Sequence, residues 1–272
     1  MDYTQLNSWV QKKLQDNNDY KSSYEKERLK NIIGCIDLTT LNATDSPTSV
    51  RQFVKNGIHK LSINSLPEVA AFCVFSNFAS QVKTQLVHTN IDVACVATAF
   101  PHGQADLQSK IKEVEAAVVA GADDIDVVIN RGMVLDGDYE GLASEIKAFS
   151  EASSKVHLKV ILEVCELSLE QVYLAAKISI ENGANFIKTS TGKGSSGASL
   201  EASLVMCLAI KEHFEKTGLM IGFKAAGGIS TSEGANQYWS LVENCLGEKW
   251  MNKRYFRIGA SSLLKNIIAD LA

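Results

Sequence analysis

The sequence has no C-x-x-C pair: its six cysteines, Cys35, Cys73, Cys95, Cys165, Cys207 and Cys245, are scattered along 272 residues. In a chain of this size they read as reduced thiols rather than a disulfide framework, and a cytoplasmic location is expected. The five histidines do not cluster and H-E-x-x-H is absent, so no dedicated metal site is expected. No apolar run is long enough to span a bilayer, and Met1-Asp2-Tyr3 does not open a signal peptide. There is no excess of positive charge: the net charge is −4, which gives no electrostatic footprint for nucleic acid or an anionic membrane. No low-complexity linker or break in composition divides the chain, and the length suits one large domain.

What is present is alternation. Short apolar runs occur at Ile32–Leu38, Ile58–Ile63, Ile91–Ala99, Asp124–Ile129, Val156–Val164, Ala184–Lys188, Leu219–Lys224 and Tyr255–Gly259. Amphipathic segments such as Leu107–Ala120, Leu169–Asn182 and Leu200–Glu215 lie between them. Asn56-Gly57, Ala120-Gly121 and Asn182-Gly183 read as helix C-caps. Eight βα units predict an α/β fold, a closed (β/α)8 TIM barrel over residues 31–272, with an open doubly wound sheet as the alternative. Residues 1–30 are polar and helix-prone, with Leu6, Val10 and Leu14 on one face. They predict an extra N-terminal helical segment, either capping the barrel bottom or binding a partner.

Strand parity places charge inside. In Asp124–Ile129 the residues Ile125, Val127 and Ile129 share the helix-facing side, which turns Asp124 and Asp126 inward. Asp37, between Ile36 and Leu38, follows the same rule. Lys159 and Glu163 share a parity on the fifth strand and read as barrel-interior groups. A buried carboxylate needs a cation, and Lys224 is the expected partner of Asp126.

Two lysines close neighbouring strands, Lys188 after Phe186-Ile187 and Lys224 after Gly222-Phe223. Parallel strands lie ~4.8 Å apart, so the two nitrogens are expected ~5–7 Å apart. Repulsion at ~5 Å and an effective dielectric of ~20 is ~3 kcal/mol. That would lower one of the pair by ~2 units from the usual ~10.4, and a neutral amine is what Schiff-base chemistry needs. The plain alternative is two unrelated lysines snorkelling from strand ends.

Gly192-Lys193-Gly194-Ser195-Ser196-Gly197 matches G-x-G-x-x-G between a strand and a helix. The following strand ends in Lys224 rather than an acid that would hold a ribose, so a backbone nest for phosphate is the better reading. Gly227-Gly228-Ile229-Ser230 and Gly259-Ala260-Ser261-Ser262 follow the last two strands, the usual phosphate loops of a barrel. Either alone would be a plain turn or cap.

Ile36–Leu41 (IDLTTL), Ala122–Val128 (ADDIDVV), Phe186–Lys193 (FIKTSTGK), Gly222–Gly228 (GFKAAGG) and Gly259–Leu264 (GASSLL) together resemble the deoxyribose-phosphate aldolases, in order from about residue 30 to the C-terminus. The resemblance implies a class I aldolase on a (β/α)8 barrel that reversibly cleaves 2-deoxy-D-ribose 5-phosphate to acetaldehyde and D-glyceraldehyde 3-phosphate, without a cofactor. It implies Lys188 as the Schiff-base lysine, Lys224 as its tuning neighbour and Asp126 as a proton relay. It further implies Asp37 and Cys73 at the sugar, and Thr191, Gly192, Lys193, Gly227, Gly228, Gly259, Ser261 and Ser262 at the phosphate. Ser230 stands where many members carry an arginine, and the chain ends at Leu271-Ala272 where some carry a tyrosine. The expected partners are a small sugar phosphate and aldehydes, with no nucleic acid or membrane, and a homodimer as the assembly. The rival readings are another Schiff-base enzyme such as a transaldolase, and a non-catalytic sugar-phosphate sensor.

Overall fold

The computed structural model describes residues 3–16 and 25–272. Eight parallel strands close into one barrel in sequence order: β1 Ile36–Thr39, β2 Ala71–Phe75, β3 Asp92–Ala97, β4 Asp124–Val128, β5 His157–Ile161, β6 Phe186–Lys188, β7 Gly222–Ala226 and β8 Phe256–Ala260. Closure is set by the β1–β8 pairing, with Asp37 opposite Gly259. The open doubly wound alternative is thereby excluded. The outer layer follows as α3 Pro47–Ile63, α4 Ala79–Gln85, α5 Leu107–Val119, α6 Arg131–Asp136, α7 Tyr139–Ala152, α8 Leu169–Glu181, α9 Leu200–Thr217, α10 Ser232–Leu246 and α11 Leu263–Leu271.

Two helices precede the barrel, α1 Tyr3–Asp16 and α2 Lys26–Ile33. Leu6 and Val10 bury, and Leu14 partly buries, where α1 packs against α8 and α9. Helix α2 packs against α10 and α11 and runs into β1 through Gly34 and Cys35. Residues 1–2 and 17–24 of the expected N-terminal segment lie outside the described residues.

The core is the shell between strands and helices. Ile125, Val127 and Ile129 bury there with Ile36, Leu38, Val160, Ile187 and Phe223, as alternation requires. Each such side chain contributes roughly 1.5–3 kcal/mol by leaving water. Several helices begin at the residues that cap them: Ser168 accepts from the Gln171 amide in a capping box, and Asp106 and Ser199 accept from Ser109 and Ala202.

One expected strand is misplaced. Ile58–Ile63 is the last turn and a half of α3, and the second strand is Ala71–Phe75. Gly57 does not cap a helix. It lies inside α3, where a Cβ would come within 2.7 Å of the Phe72 ring, so the glycine serves helix–strand approach. Ala120-Gly121 and Asn182-Gly183 do end helices, with both glycines at positive φ.

Candidate active site

Parity loads one side of the barrel interior with charge. Asp37 on β1, Asp124 and Asp126 on β4, Lys159 on β5, Lys188 on β6, Lys224 on β7 and Arg257 on β8 are all buried. They form a continuous ladder. Lys188 Nζ and Lys224 Nζ both donate to Asp126 Oδ2, each at 2.7 Å. Lys224 also pairs with Asp37, whose other oxygen accepts from Arg257 at 2.6 Å. Arg257 reaches Asp124 at 3.3 Å and Asp92 at 3.1 Å, and Lys159 pairs with Asp124. Phe186 closes the floor: the Lys159 ammonium and Arg257 guanidinium lie 5.4 and 5.9 Å from its ring centroid, and Gly222 leaves the ring its space. On the β2–β3 side the interior is instead apolar and small, with Ala71, Cys73, Ala94 and Val96.

Charges balance below the mouth. Lys159, Lys224 and Arg257 match Asp37, Asp124 and Asp126, and Lys188 is the additional amine at the top. Burial alone would raise the Asp126 carboxyl, but Lys188 and Lys224 hold it below the usual carboxylate range. Burial would lower Lys224, yet Asp126 and Asp37 outweigh that and raise it, which keeps Lys224 cationic. Asp37 is held low by Lys224 and then Arg257 against the opposing effect of burial.

Above the ladder opens a cavity of about 280 Å³ that Lys188 reaches at 3% exposure. Three loops expected at a phosphate line it: Thr191–Lys193 after β6, Gly227–Ser230 after β7, and Gly259–Ser262 from the end of β8. Among the described residues, the backbone amides of Gly192, Gly228, Ser261 and Ser262 have no acceptor within the chain. The hydroxyls of Ser261 and Ser262 are exposed, and Ser262 makes no side-chain cap to α11. Gly227, at φ +90°, lies so close to Gly197 that a Cβ on Gly197 would meet the Gly227 carbonyl oxygen at 2.2 Å, which brings the β6 and β7 loops together. Asn266 Nδ2 donates to Ser230 O at 2.8 Å and clips α11 to the β7 loop.

The family model for DeoC/LacD aldolases matches residues 32–264. The chain belongs to that family. It is 38% identical over 266 residues to the Homo sapiens deoxyribose-phosphate aldolase and 39% identical over 266 residues to that of Mus musculus; in each case the alignment covers 93% of this chain and 84% of the relative. The tetrameric deoxyribose phosphate aldolase of Aeropyrum pernix superposes with a TM-score of 0.70 at 23% identity, covering 90% of this chain and 92% of that one, a likeness of fold.

Seen as a DeoC/LacD aldolase, the chain brings most of the expected site residues together, with Lys188, Thr191, Gly192, Lys193, Gly227, Gly228, Gly259, Ser261 and Ser262 on one cavity and Asp126 directly beneath. Two expected sugar contacts are placed differently. Asp37 is fully buried beneath the cavity with its oxygens engaged by Lys224 and Arg257, and it is not among the residues that line the cavity. Cys73 is fully buried in the apolar wall, and burial pushes its thiol up. Lys159 lies inside as expected, whereas Glu163 has left the strand at φ +57° and lies under the rim.

Sequence reasoning missed Arg257, although its parity between Phe256 and Ile258 signalled it. It also missed the wall formed by Thr39, Thr40, Leu41 and Asn42. Asp45 orders that wall by accepting from Thr40 Oγ1 at 2.8 Å and from the Asn42 amide at 2.9 Å. Among the described residues no helix is long and apolar enough to cross a membrane.

Proposed function

We propose that this aldolase cleaves 2-deoxy-D-ribose 5-phosphate reversibly to acetaldehyde and D-glyceraldehyde 3-phosphate through a Schiff base on Lys188. The observation that carries this reading is one amine, Lys188, at the junction of a buried proton-handling pair and a cavity rimmed by bare amides. An amine at the end of a rigid strand attacks the sugar aldehyde, and loss of water leaves an iminium. The iminium draws the C2–C3 bonding electrons toward nitrogen as the C3 hydroxyl loses its proton. The bond breaks, glyceraldehyde 3-phosphate departs and a two-carbon enamine remains. Protonation of that enamine and hydrolysis of the iminium release acetaldehyde and restore Lys188.

Asp126 suits the proton steps because it already accepts from Lys188, and Lys224 holds it ionised. Lys224, bound to Asp126 and Asp37, keeps the relay charged and oriented. The 5-phosphate is assigned to the amides of Gly192, Gly228, Ser261 and Ser262, with Lys193 as the cation at the rim. Anionic oxygens at these donors need no arginine, which fits Ser230 on the cavity wall. With this substrate, the proposed reaction belongs to the breakdown of deoxyribonucleotides, and a cytoplasmic location is part of the proposal.

The direct test is product stoichiometry. Purified protein given deoxyribose 5-phosphate should release acetaldehyde and glyceraldehyde 3-phosphate in equal amounts and resynthesise the sugar from both. Release of a three-carbon ketone fragment in place of acetaldehyde would move the assignment to a transaldolase-type donor. No turnover with retained sugar-phosphate binding would make the protein a sensor.

A further inference from the structure

The β5 strand ends in an unusual way. Glu163 takes a left-handed backbone at φ +57°, uncommon for a residue with a Cβ, while its carboxylate is 1% exposed. That carboxylate accepts from the Thr191 amide at 3.2 and 3.3 Å and from the Thr191 hydroxyl. The Thr191 hydroxyl in turn accepts from the Lys193 amide at 3.0 Å. Gly194 lies on the same turn, where a Cβ would meet Cys165 Sγ at 2.9 Å and Glu163 Cδ at 3.4 Å.

A hydroxyl has a single proton to donate. That of Thr191 goes to Glu163, so while this bond stands the Thr191 hydroxyl has no proton to offer a phosphate oxygen. Arg131 Nη1 lies 3.6 Å from Glu163 Oε2, the oxygen that also accepts from the Thr191 hydroxyl, and Arg131 Nε lies 2.9 Å from Glu166. Arg131 also donates to the carbonyls of Pro101 and His102, at 3.3 and 3.2 Å. The β3, β4, β5 and β6 loops are therefore linked through the Glu163–Arg131 pair.

We propose that Glu163, braced by Arg131, is a positioning residue that sets the Thr191–Lys193 loop in its phosphate-binding shape and thereby fixes the preference for a phosphorylated sugar. The proposal rests on the sugar-phosphate reading above. It makes Thr191 the lever through which Glu163 acts, and it separates phosphate recognition from the Lys188 chemistry.

The test compares Glu163→Gln, Thr191→Val, Thr191→Ser and the double variant Glu163→Gln/Thr191→Val. The first readout is the ratio of kcat/KM for deoxyribose 5-phosphate to that for free deoxyribose, at fixed ionic strength. Glu163→Gln and Thr191→Val should each lower this ratio about tenfold, chiefly through KM for the phosphorylated sugar. Thr191→Ser keeps the bridging hydroxyl and should preserve the ratio. The double variant should lose no more than the larger single loss, because both act through one contact.

Calorimetric binding of inorganic phosphate should weaken in the same order. This readout needs no turnover, so it tests the loop even if the protein does not cleave deoxyribose 5-phosphate, an outcome that would overturn the functional reading alone. Equal losses on both sugars, or additive losses in the double variant, would overturn the positioning role. If Glu163→Gln does not fold, the Thr191→Ser and Thr191→Val pair carries the same comparison, and equal behaviour of those two would overturn it.

Discussion

The barrel interior and the rim above it are built by opposite rules. Inside, every strand from β4 to β8 sends a charged or aromatic side chain inward, and salt bridges and hydrogen bonds join those charges into one ladder. At the rim, the structure offers backbone amides without acceptors and glycines that let loops touch, and the proposed phosphate recognition rests on these. The interior is buried and costly to unbalance, since removing one partner leaves an uncompensated buried charge. The rim is open to solvent, where salt screens each charge and single substitutions have small effects. The proposed function thus gives chemistry to the buried interior and substrate choice to the loops.

The largest effect should come from the amine that joins the two regions. Lys188→Met should reduce aldol cleavage by at least ~10³-fold, while urea denaturation shows a protein still folded, because the matched charges beneath it remain. A variant of similar activity would show that the reaction uses another amine.

Lys224→Met tests the ladder itself. It strips Asp126 and Asp37 of a shared cation, so activity near neutrality should fall ~10²-fold and stability by ~3–5 kcal/mol. Lost activity without lost stability in urea melts would mean that Lys224 acts only on the reaction and that the ladder bears little of the interior's stability.

Asp37→Asn separates structure from pH. The Asp37 carboxyl is held below its ordinary value by Lys224 and Arg257 against burial, so its stabilising contribution is fully present above the unfolded pKa of ~3.9 and is lost as pH falls through the lowered folded value. Thermal melts should therefore show the wild type well ahead of Asp37→Asn at neutral pH, with the gap closing below about pH 4. A gap that widened in acid would contradict the lowered carboxyl.

The smallest effect belongs to the rim. Ser230→Arg adds a cation to the cavity wall, where a charge-assisted hydrogen bond is worth ~1.5–3 kcal/mol before screening. The KM for deoxyribose 5-phosphate should fall up to about tenfold at low salt, and by less as salt rises. The KM for free deoxyribose should change less. Equal changes would mean that Ser230 does not face the phosphate.

The contrast between interior and rim also explains what the sequence made legible. Two-residue alternation placed Asp37, Asp124, Asp126, Lys159 and Lys224 inside, because a strand leaves side chains no other freedom. The same rule would have found Arg257. It failed at Glu163, where one left-handed residue ends the alternation and turns the side chain to the rim. It also failed at Ile58–Ile63, a short apolar run whose neighbouring glycine serves packing on Phe72 rather than a helix stop. The three loops that line the cavity were legible from glycine and serine position. The wall at Thr39–Asn42 was not, because its shape depends on Asp45 hydrogen bonds that have no periodic signature.

The central claim, that Lys188 is the covalent residue, is tested by reducing the protein with borohydride in the presence of acetaldehyde and mapping the adduct by peptide mass spectrometry. The arrangement of Lys188 over Asp126 predicts one ethyl group on Lys188, formed in the wild type and absent from Lys188→Met. An adduct on Lys224 or Lys193, or none at all under turnover conditions, would contradict it.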